Sequence, residues 1–177
     1  EDISTPNIDF IAENGIKFND FYSVSSVCTP SRAGMLTGRM PQRFGLNGVL
    51  FPDSHTGMPA SEYTIAELLK DNGYYTGIIG KWHLGHKHDF LPLQQGFDFF
   101  FGIPYSNDMA STAYFNGNDV IDYFPDQKVM TNRLTQEAIS FIESNKKNKF
   151  YLYLAHPMPH VPIYASNNFI SSSNRGL

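Results

Sequence analysis

Two stretches of this chain repeat the same order of elements, an amphipathic helix followed by a short apolar strand. In the first, Thr64 and Glu67 fit a helix-capping box, and residues 74–79 are predicted to form a strand. In the second, residues 134–142 have helical apolar spacing and precede an apolar run over residues 150–155. Strands that alternate with helices pair in parallel through crossovers. The sequence therefore predicts an α/β fold with a mostly parallel sheet flanked by helices.

Three further segments surround these two units. A short helix is predicted to begin at Pro6 and to end at Gly15. The apolar and aromatic residues between 16 and 27 predict a strand that leads into a second helix, with Thr29 as its cap. Residues 91–126 show no clear period and are predicted to form a long irregular connection. We expect such a connection to help shape a binding site.

Composition and charge exclude several classes of function. The 177 residues are 41% hydrophobic, enough for one domain with a core, and 13 basic against 17 acidic residues give a net charge of −4. This balance argues against a nucleic-acid partner. No run is apolar enough for a membrane span, and residues 1–6 are predicted to carry no export signal. The single cysteine, Cys28, forms neither an internal disulfide nor a multi-cysteine metal site.

Reactive side chains follow each of the three predicted strands. In chain order these pairs are Cys28 and Arg32, Lys81 and His83, and His156 and His160. Ligands of open α/β sheets bind at the carboxyl ends of strands, so we expect these groups to meet at one edge of the sheet. A nucleophile with fixed cations and imidazoles suits an anionic substrate. Local physics leaves open whether the cysteine is a reactive thiolate or a small buried hydrophobic residue.

A continuous motif indicates which role the cysteine has. Residues 28–39 read CTPSRAGMLTGR, which resembles the signature of the type I sulfatases without a mismatch. The resemblance continues through residues 80–85, 102–108 and 159–162, in the order seen in arylsulfatases, and covers essentially the whole chain. It implies an alkaline-phosphatase-like α/β fold and the hydrolysis of sulfate esters.

The resemblance also implies catalytic roles. A modifying enzyme would oxidise Cys28 to formylglycine, whose hydrate, bound to a divalent cation, attacks the sulfur of a sulfate ester. Arg32 would hold the formylglycine hydroxyl, and Lys81 would bridge the hydrate and the sulfate. His83 would assist removal of the hydroxyl proton when the sulfated intermediate collapses. His160 would bind sulfate or protonate the leaving oxygen.

The same resemblance assigns the substrate side and the metal. Ser106 resembles a substrate-side serine of arylsulfatases. The cation is expected to be calcium, with magnesium as the second choice, and Cys28 in its oxidised form is the metal ligand that can be assigned. The family's paired aspartates and its later ligand-bearing strand are not found within residues 1–177. We therefore expect a partial N-terminal catalytic domain with an incomplete sheet and no activity alone.

Other activities remain open. A phosphate or phosphonate ester hydrolase of the same superfamily would share the sheet and the cation. A non-catalytic module would bind sulfated ligands through Arg32, Lys81 and His160. A thiol hydrolase would need unmodified Cys28, and the signature argues against it. The three histidines of residues 83–88 match no strong zinc motif.

Partners and location follow from the same resemblance. The expected partners are a sulfated small molecule or sulfated sugar, and a formylglycine-generating or other sulfatase-modifying enzyme during maturation. No asparagine lies in an N-glycosylation sequon. A periplasmic or secreted bacterial protein is therefore favoured over a lysosomal one.

Overall fold

A five-stranded sheet is the frame of the computed structural model, which describes residues 3–109, 112–123 and 125–173. The strands are β1 (Tyr75–Lys81), β2 (Phe99–Ile103), β3 (Ala113–Asn116), β4 (Asp119–Tyr123) and β5 (Phe150–Ala155). The α-helices are α1 (Pro6–Asn14), α2 (Cys28–Thr37), α3 (Ile65–Asp71) and α4 (Met130–Asn145). Short 3₁₀ helices span Pro41–Phe44, His88–Phe90 and Pro92–Gln94. Within these described ranges, no helix is both long enough and apolar enough to cross a membrane.

The strand order is β4-β3-β2-β1-β5, with β1 parallel to both β2 and β5. An antiparallel hairpin of β3 and β4 extends the sheet beyond β2. In the parallel part, Gly80 lies opposite Gly102 on one side and Ala155 on the other. The predicted α/β fold with a parallel sheet is confirmed, and the carboxyl ends of three strands meet at one edge.

One glycine decides how closely two of these strands approach. Gly80 has φ +119°, and a Cβ at this position would lie 2.1 Å from the carbonyl oxygen of Ala155. Only glycine fits here without moving β5. The close approach comes one residue before Lys81, so it positions the residue that ends β1.

The two faces of the sheet pack into separate cores, as alternation along β1 requires. Ile78 faces a core that includes Leu36 of α2 and Trp82. Ile79, on the opposite face, packs with Leu134 of α4. Helices α2 and α4 therefore cover opposite faces, and α2 brings its first residue to the edge where the parallel strands end.

Several predicted elements are confirmed. The hydroxyl of Thr64 accepts from the Glu67 amide at 3.1 Å, and the Glu67 carboxylate accepts from the Thr64 amide at 2.7 Å, which completes the capping box of α3. Helix α1 begins at Pro6 and is followed by Gly15 as predicted. Strand β5 spans the residues predicted for it.

The strand predicted between residues 16 and 27 is wrong. The segment is irregular, and the side chains of Phe18 and Phe21 are 70% and 80% exposed. A strand needs a neighbouring strand for its backbone groups, and this segment has none within the described part of the chain. Thr29 is not a helix cap either, because α2 begins at Cys28.

The irregular connection predicted over residues 91–126 is also wrong, because it contains β2, β3 and β4. Its hairpin turns at Gly117-Asn118, where Gly117 has φ +62°. A two-residue Gly-Asn loop is a hairpin signal that is visible in the sequence.

Candidate active site

A cleft of about 490 Å³ opens at the carboxyl edge of the parallel strands. The structure brings four of the sequence-predicted site residues to its lining: Cys28, His83, Ser106 and His160. These residues come from the start of α2, the loop after β1, the loop after β2 and the loop after β5. Segments far apart in sequence therefore converge on one space.

Lys81 is not itself among the lining residues of this cleft; it is 2% exposed, and its Nζ donates at 2.9 Å to the hydroxyl of Ser106, which does line the cleft. Burial is the main cause of the lowered pKa of Lys81. The neighbouring charges of Cys28 and Asp108 raise this pKa, whereas the charge of Arg32 lowers it further. An anion bound beside this amine would favour its charged form. The position suits a group that holds sulfate.

Arg32 lies one turn along α2 from Cys28 and is absent from the lining of the cleft. Its guanidinium donates to the backbone carbonyl of Lys81 and, at 3.3 Å, to the hydroxyl of Tyr153. These contacts tie the start of α2 to the ends of β1 and β5. Burial raises the pKa of Tyr153, and Arg32 opposes that rise, so the tyrosine stays a neutral partner.

His83 is fully buried, and its backbone has φ +61°. Its Nε2 lies 2.8 Å from the Leu50 carbonyl oxygen, so Nε2 carries the proton and donates. Burial lowers the pKa of His83 to about 4, although the bond to Leu50 opposes the shift. Its Nδ1 has no hydrogen-bond partner in the described part of the chain. Nδ1 is therefore a free acceptor beside the cleft.

Asp108 is a site residue that sequence reasoning missed. Its partial burial would raise its pKa, but the Ser106 hydroxyl and the charges of His160 and Lys81 prevail, and the pKa is lowered. Its Oδ1 lies 3.9 Å from Nδ1 of His160, which also lies 2.6 Å from the Val161 carbonyl. Asp108 closes the 102–108 segment, yet its importance follows from neighbours that only the fold supplies.

The remaining candidate groups serve other purposes. Arg39 pairs with the buried carboxylate of Glu62 at 2.7 Å. His86 bonds the hydroxyl of Tyr105, and His156 is absent from the lining of the cleft. Among residues 3–109, 112–123 and 125–173, no group of three His, Cys, Asp or Glu side chains is placed to hold a metal ion.

Comparison with known proteins gives one consistent result. The Sulfatase family model matches residues 1–176. N-acetylgalactosamine-6-sulfatase of Mus musculus is 37% identical over 97% of this chain, and arylsulfatase A of Homo sapiens is 38% identical over 98% of it. The chain spans 38% and 40% of the length of these two proteins.

A solved structure, Ps i-CgsB in complex with k-i-k-neocarrahexaose, superposes with a TM-score of 0.86 at 31% identity. The superposition covers 99% of this chain and 44% of that one. It confirms the predicted alkaline-phosphatase-like form of the α/β fold. The signature at residues 28–39, the family match and these relatives agree, and the chain belongs to the sulfatase family.

Proposed function

We propose that this chain carries the nucleophile and the anion-binding groups of an enzyme that hydrolyses sulfate esters. The observation that carries the proposal is the cleft that Cys28, His83, Ser106 and His160 line together, with Ser106 bonded to the buried amine of Lys81. The substrate class is a sulfated sugar or a sulfated small molecule. The names of relatives such as N-acetylgalactosamine-6-sulfatase support a sulfated ligand.

Membership of the family implies a formylglycine and a divalent cation in the active site. The formylglycine hydrate made from Cys28 supplies a hydroxyl for attack on the sulfate sulfur. Cys28 suits this change, because it begins α2 and its half-buried side chain faces the cleft. Its maturation would require a formylglycine-generating or other sulfatase-modifying enzyme.

Two buried or half-buried cations would stabilise the charge that develops on the sulfuryl oxygens. Of the two, Lys81 lies closer to the cleft, because its Nζ bonds the hydroxyl of Ser106 in the lining. Arg32 lies behind it and holds the backbone that positions Lys81. Fixed cations in a site poor in water need little rearrangement during the reaction, which is why they lower the barrier.

The two histidines suit opposite proton transfers. The Nδ1 of His83 has no partner among the described residues, and a pKa of about 4 keeps the ring neutral at higher pH, so His83 is suited to assist removal of the hydroxyl proton when the sulfated intermediate collapses. His160 lines the same cleft, with its Nδ1 3.9 Å from Oδ1 of Asp108. His160 is therefore suited to bind sulfate or to protonate the leaving oxygen.

The cation remains a separate proposal. We expect calcium first and magnesium second, yet the described residues supply Cys28 as a single candidate ligand and do not assemble a cation site. Chelation followed by addition of Ca²⁺ or Mg²⁺ separately would identify it.

Two further proposals concern the whole protein. Residues 1–177 would form the N-terminal part of a larger catalytic domain, which agrees with the 38% share of the mouse relative that the chain spans. The location would be periplasmic or secreted. Fractionation of the source cells, with enzyme activity measured in each fraction, tests the location.

The deciding experiment combines a mass measurement with two substrates. The protein that contains this chain is produced together with a formylglycine-generating enzyme, and the tryptic peptide of residues 18–32 is weighed without alkylation. We expect the mass of an aldehyde at Cys28 and faster turnover of an aryl sulfate than of the matching aryl phosphate. Cys28→Ala should lose both the aldehyde and the sulfatase turnover. Faster turnover of the phosphate, or full activity in Cys28→Ala, would overturn the proposal.

A further inference from the structure

A second cleft of about 360 Å³ adjoins the first and shares Asp108 and Met109 with it. Asn107, Thr112, Gln127 and Tyr164 contribute most of its polar and aromatic lining. A molecule whose sulfate lies beside Cys28 would extend into this second cleft across the shared residues.

The chemistry of the two clefts differs. The catalytic cleft has two histidines in its lining, and its Ser106 accepts a hydrogen bond from the buried amine of Lys81. Among the described residues that line the second cleft there is no Lys, Arg or His, and the one charged side chain is Asp108. Amides, a hydroxyl and an aromatic ring suit an uncharged molecule with hydroxyl groups. A second anionic group would meet a carboxylate with no compensating cation on these walls.

The polar wall of the second cleft is already ordered by its own hydrogen bonds. The Asn107 side-chain amide donates to the Gln127 side-chain oxygen at 3.0 Å, and the Gln127 amide donates back to the Asn107 backbone oxygen at 2.8 Å. The same Asn107 amide lies 3.3 Å from the Pro162 carbonyl. Asn107 is 2% exposed, and its Oδ1 has no partner within the described residues. A preformed wall loses little entropy when a ligand binds.

We propose that this second cleft is a subsite for an uncharged, hydroxylated sugar ring linked to the sulfated ring. The proposal rests on the sulfatase function proposed above and narrows its substrate to a sulfated oligosaccharide with a neutral neighbouring unit. Tyr164 would pack against the ring, Asp108 would accept from a ring hydroxyl, and Asp108 would reject a neighbouring uronate or second sulfate.

The test compares three substrates in the active protein that contains this chain. They are an aryl monosulfate, a monosulfated disaccharide with a neutral second ring, and the same disaccharide with a uronic acid as second ring. We expect kcat/KM for the neutral disaccharide to exceed that for the uronate by about tenfold or more. Asp108→Asn should narrow this ratio, whatever it does to the absolute rates.

Tyr164→Ala separates the subsite from the reaction centre. We expect a rise in KM of about tenfold for the neutral disaccharide and an unchanged kcat/KM for the aryl monosulfate. Tyr123→Ala is the matched control, because Tyr123 is 71% exposed on β4 and lies outside both clefts. Equal losses on both substrates, or equal rates with the neutral and uronate disaccharides, would overturn the subsite.

A binding measurement keeps the subsite testable if turnover is not found. Calorimetry with Cys28→Ala protein should give tighter binding of the neutral disaccharide than of the uronate, and Tyr164→Ala should remove the difference. Failure of the proposed function would appear as no turnover of any sulfate ester. Failure of the subsite would appear as equal affinities for the two disaccharides.

Discussion

His83 is a residue whose environment sets its chemistry. Burial lowers its pKa from the ordinary 6.5 to about 4, so the folded protein takes up this proton at a lower pH than the unfolded chain does. The stability that neutral His83 contributes is complete above pH 6.5 and is lost as the pH falls towards 4, a change of about 3 kcal/mol. Urea unfolding across this range measures the slope.

His83→Asn should flatten this slope, because the side chain that titrates between pH 6.5 and 4 is gone. His88→Gln is the control, since it removes an exposed histidine from the same loop region. An unchanged slope in His83→Asn would show that other groups carry the proton uptake.

Lys81 is the second residue at which a single change is informative. Lys81→Met keeps an aliphatic chain of similar length in a site that is 2% exposed, and it removes the cation. We expect kcat for a sulfate ester to fall by about 10²–10³-fold with no loss of thermal stability, because Lys81 stabilises the negative charge that develops on the sulfuryl oxygens in the transition state. Lys87→Met, on the exposed loop after β1, should keep wild-type kcat. Activity of Lys81→Met within about twofold of wild type would contradict the role assigned to Lys81.

At the scale of elements, a buried threonine joins α2 to two loops. The Thr29 hydroxyl donates to the His83 carbonyl at 2.9 Å and accepts from the Leu50 amide at 3.1 Å. Thr29→Val keeps the shape and leaves both backbone groups without this partner, so we expect a loss of about 1–3 kcal/mol of stability in urea unfolding. Thr131→Val, at an exposed position of α4, should cost far less. Equal stability of the two variants would show that the hydrogen bonds of Thr29 do not stabilise the fold.

The same scale shows why some elements could be predicted and others could not. The capping box of Thr64 and Glu67 is a local signal, so it correctly located the start of α3. Strand formation in residues 16–27 depends on a partner strand, and aromatic composition could not reveal that the described chain provides none. The β3–β4 hairpin could have been predicted, because its Gly117-Asn118 loop is a local hairpin signal.

At the scale of the whole molecule, the candidate site is assembled from distant segments. The motifs identified Cys28 and His160 one by one, and the parallel strand ends explained how they meet. Asp108 could not be identified in this way, because its effect depends on the spatial positions of Ser106, Lys81 and His160. Reactive residue types are visible in sequence, whereas the electrostatic partners of each one depend on the fold.

The charge distribution of the whole molecule leads to a last prediction. The chain carries a net charge of −4, yet Lys81 bonds Ser106 of the cleft, and Arg32 bonds the backbone of Lys81. Inorganic sulfate should therefore bind at the cleft and stabilise the folded protein, by about 2.7 kcal/mol at a concentration about 100 times its Kd. Thermal unfolding in sulfate against chloride of equal ionic strength measures the effect.

Sulfate also stabilises proteins without binding, through its exclusion from their surfaces, so the wild-type shift alone does not locate a site. Lys81→Met removes the local cation and leaves the surface unchanged, which isolates the specific part. We expect the variant to keep the general shift and to lose the part that saturates at low sulfate concentration, whereas Lys87→Met should keep both parts. Identical saturating shifts in Lys81→Met and wild type would mean that the anion binds elsewhere, because binding at the cleft depends on the charge that this substitution removes.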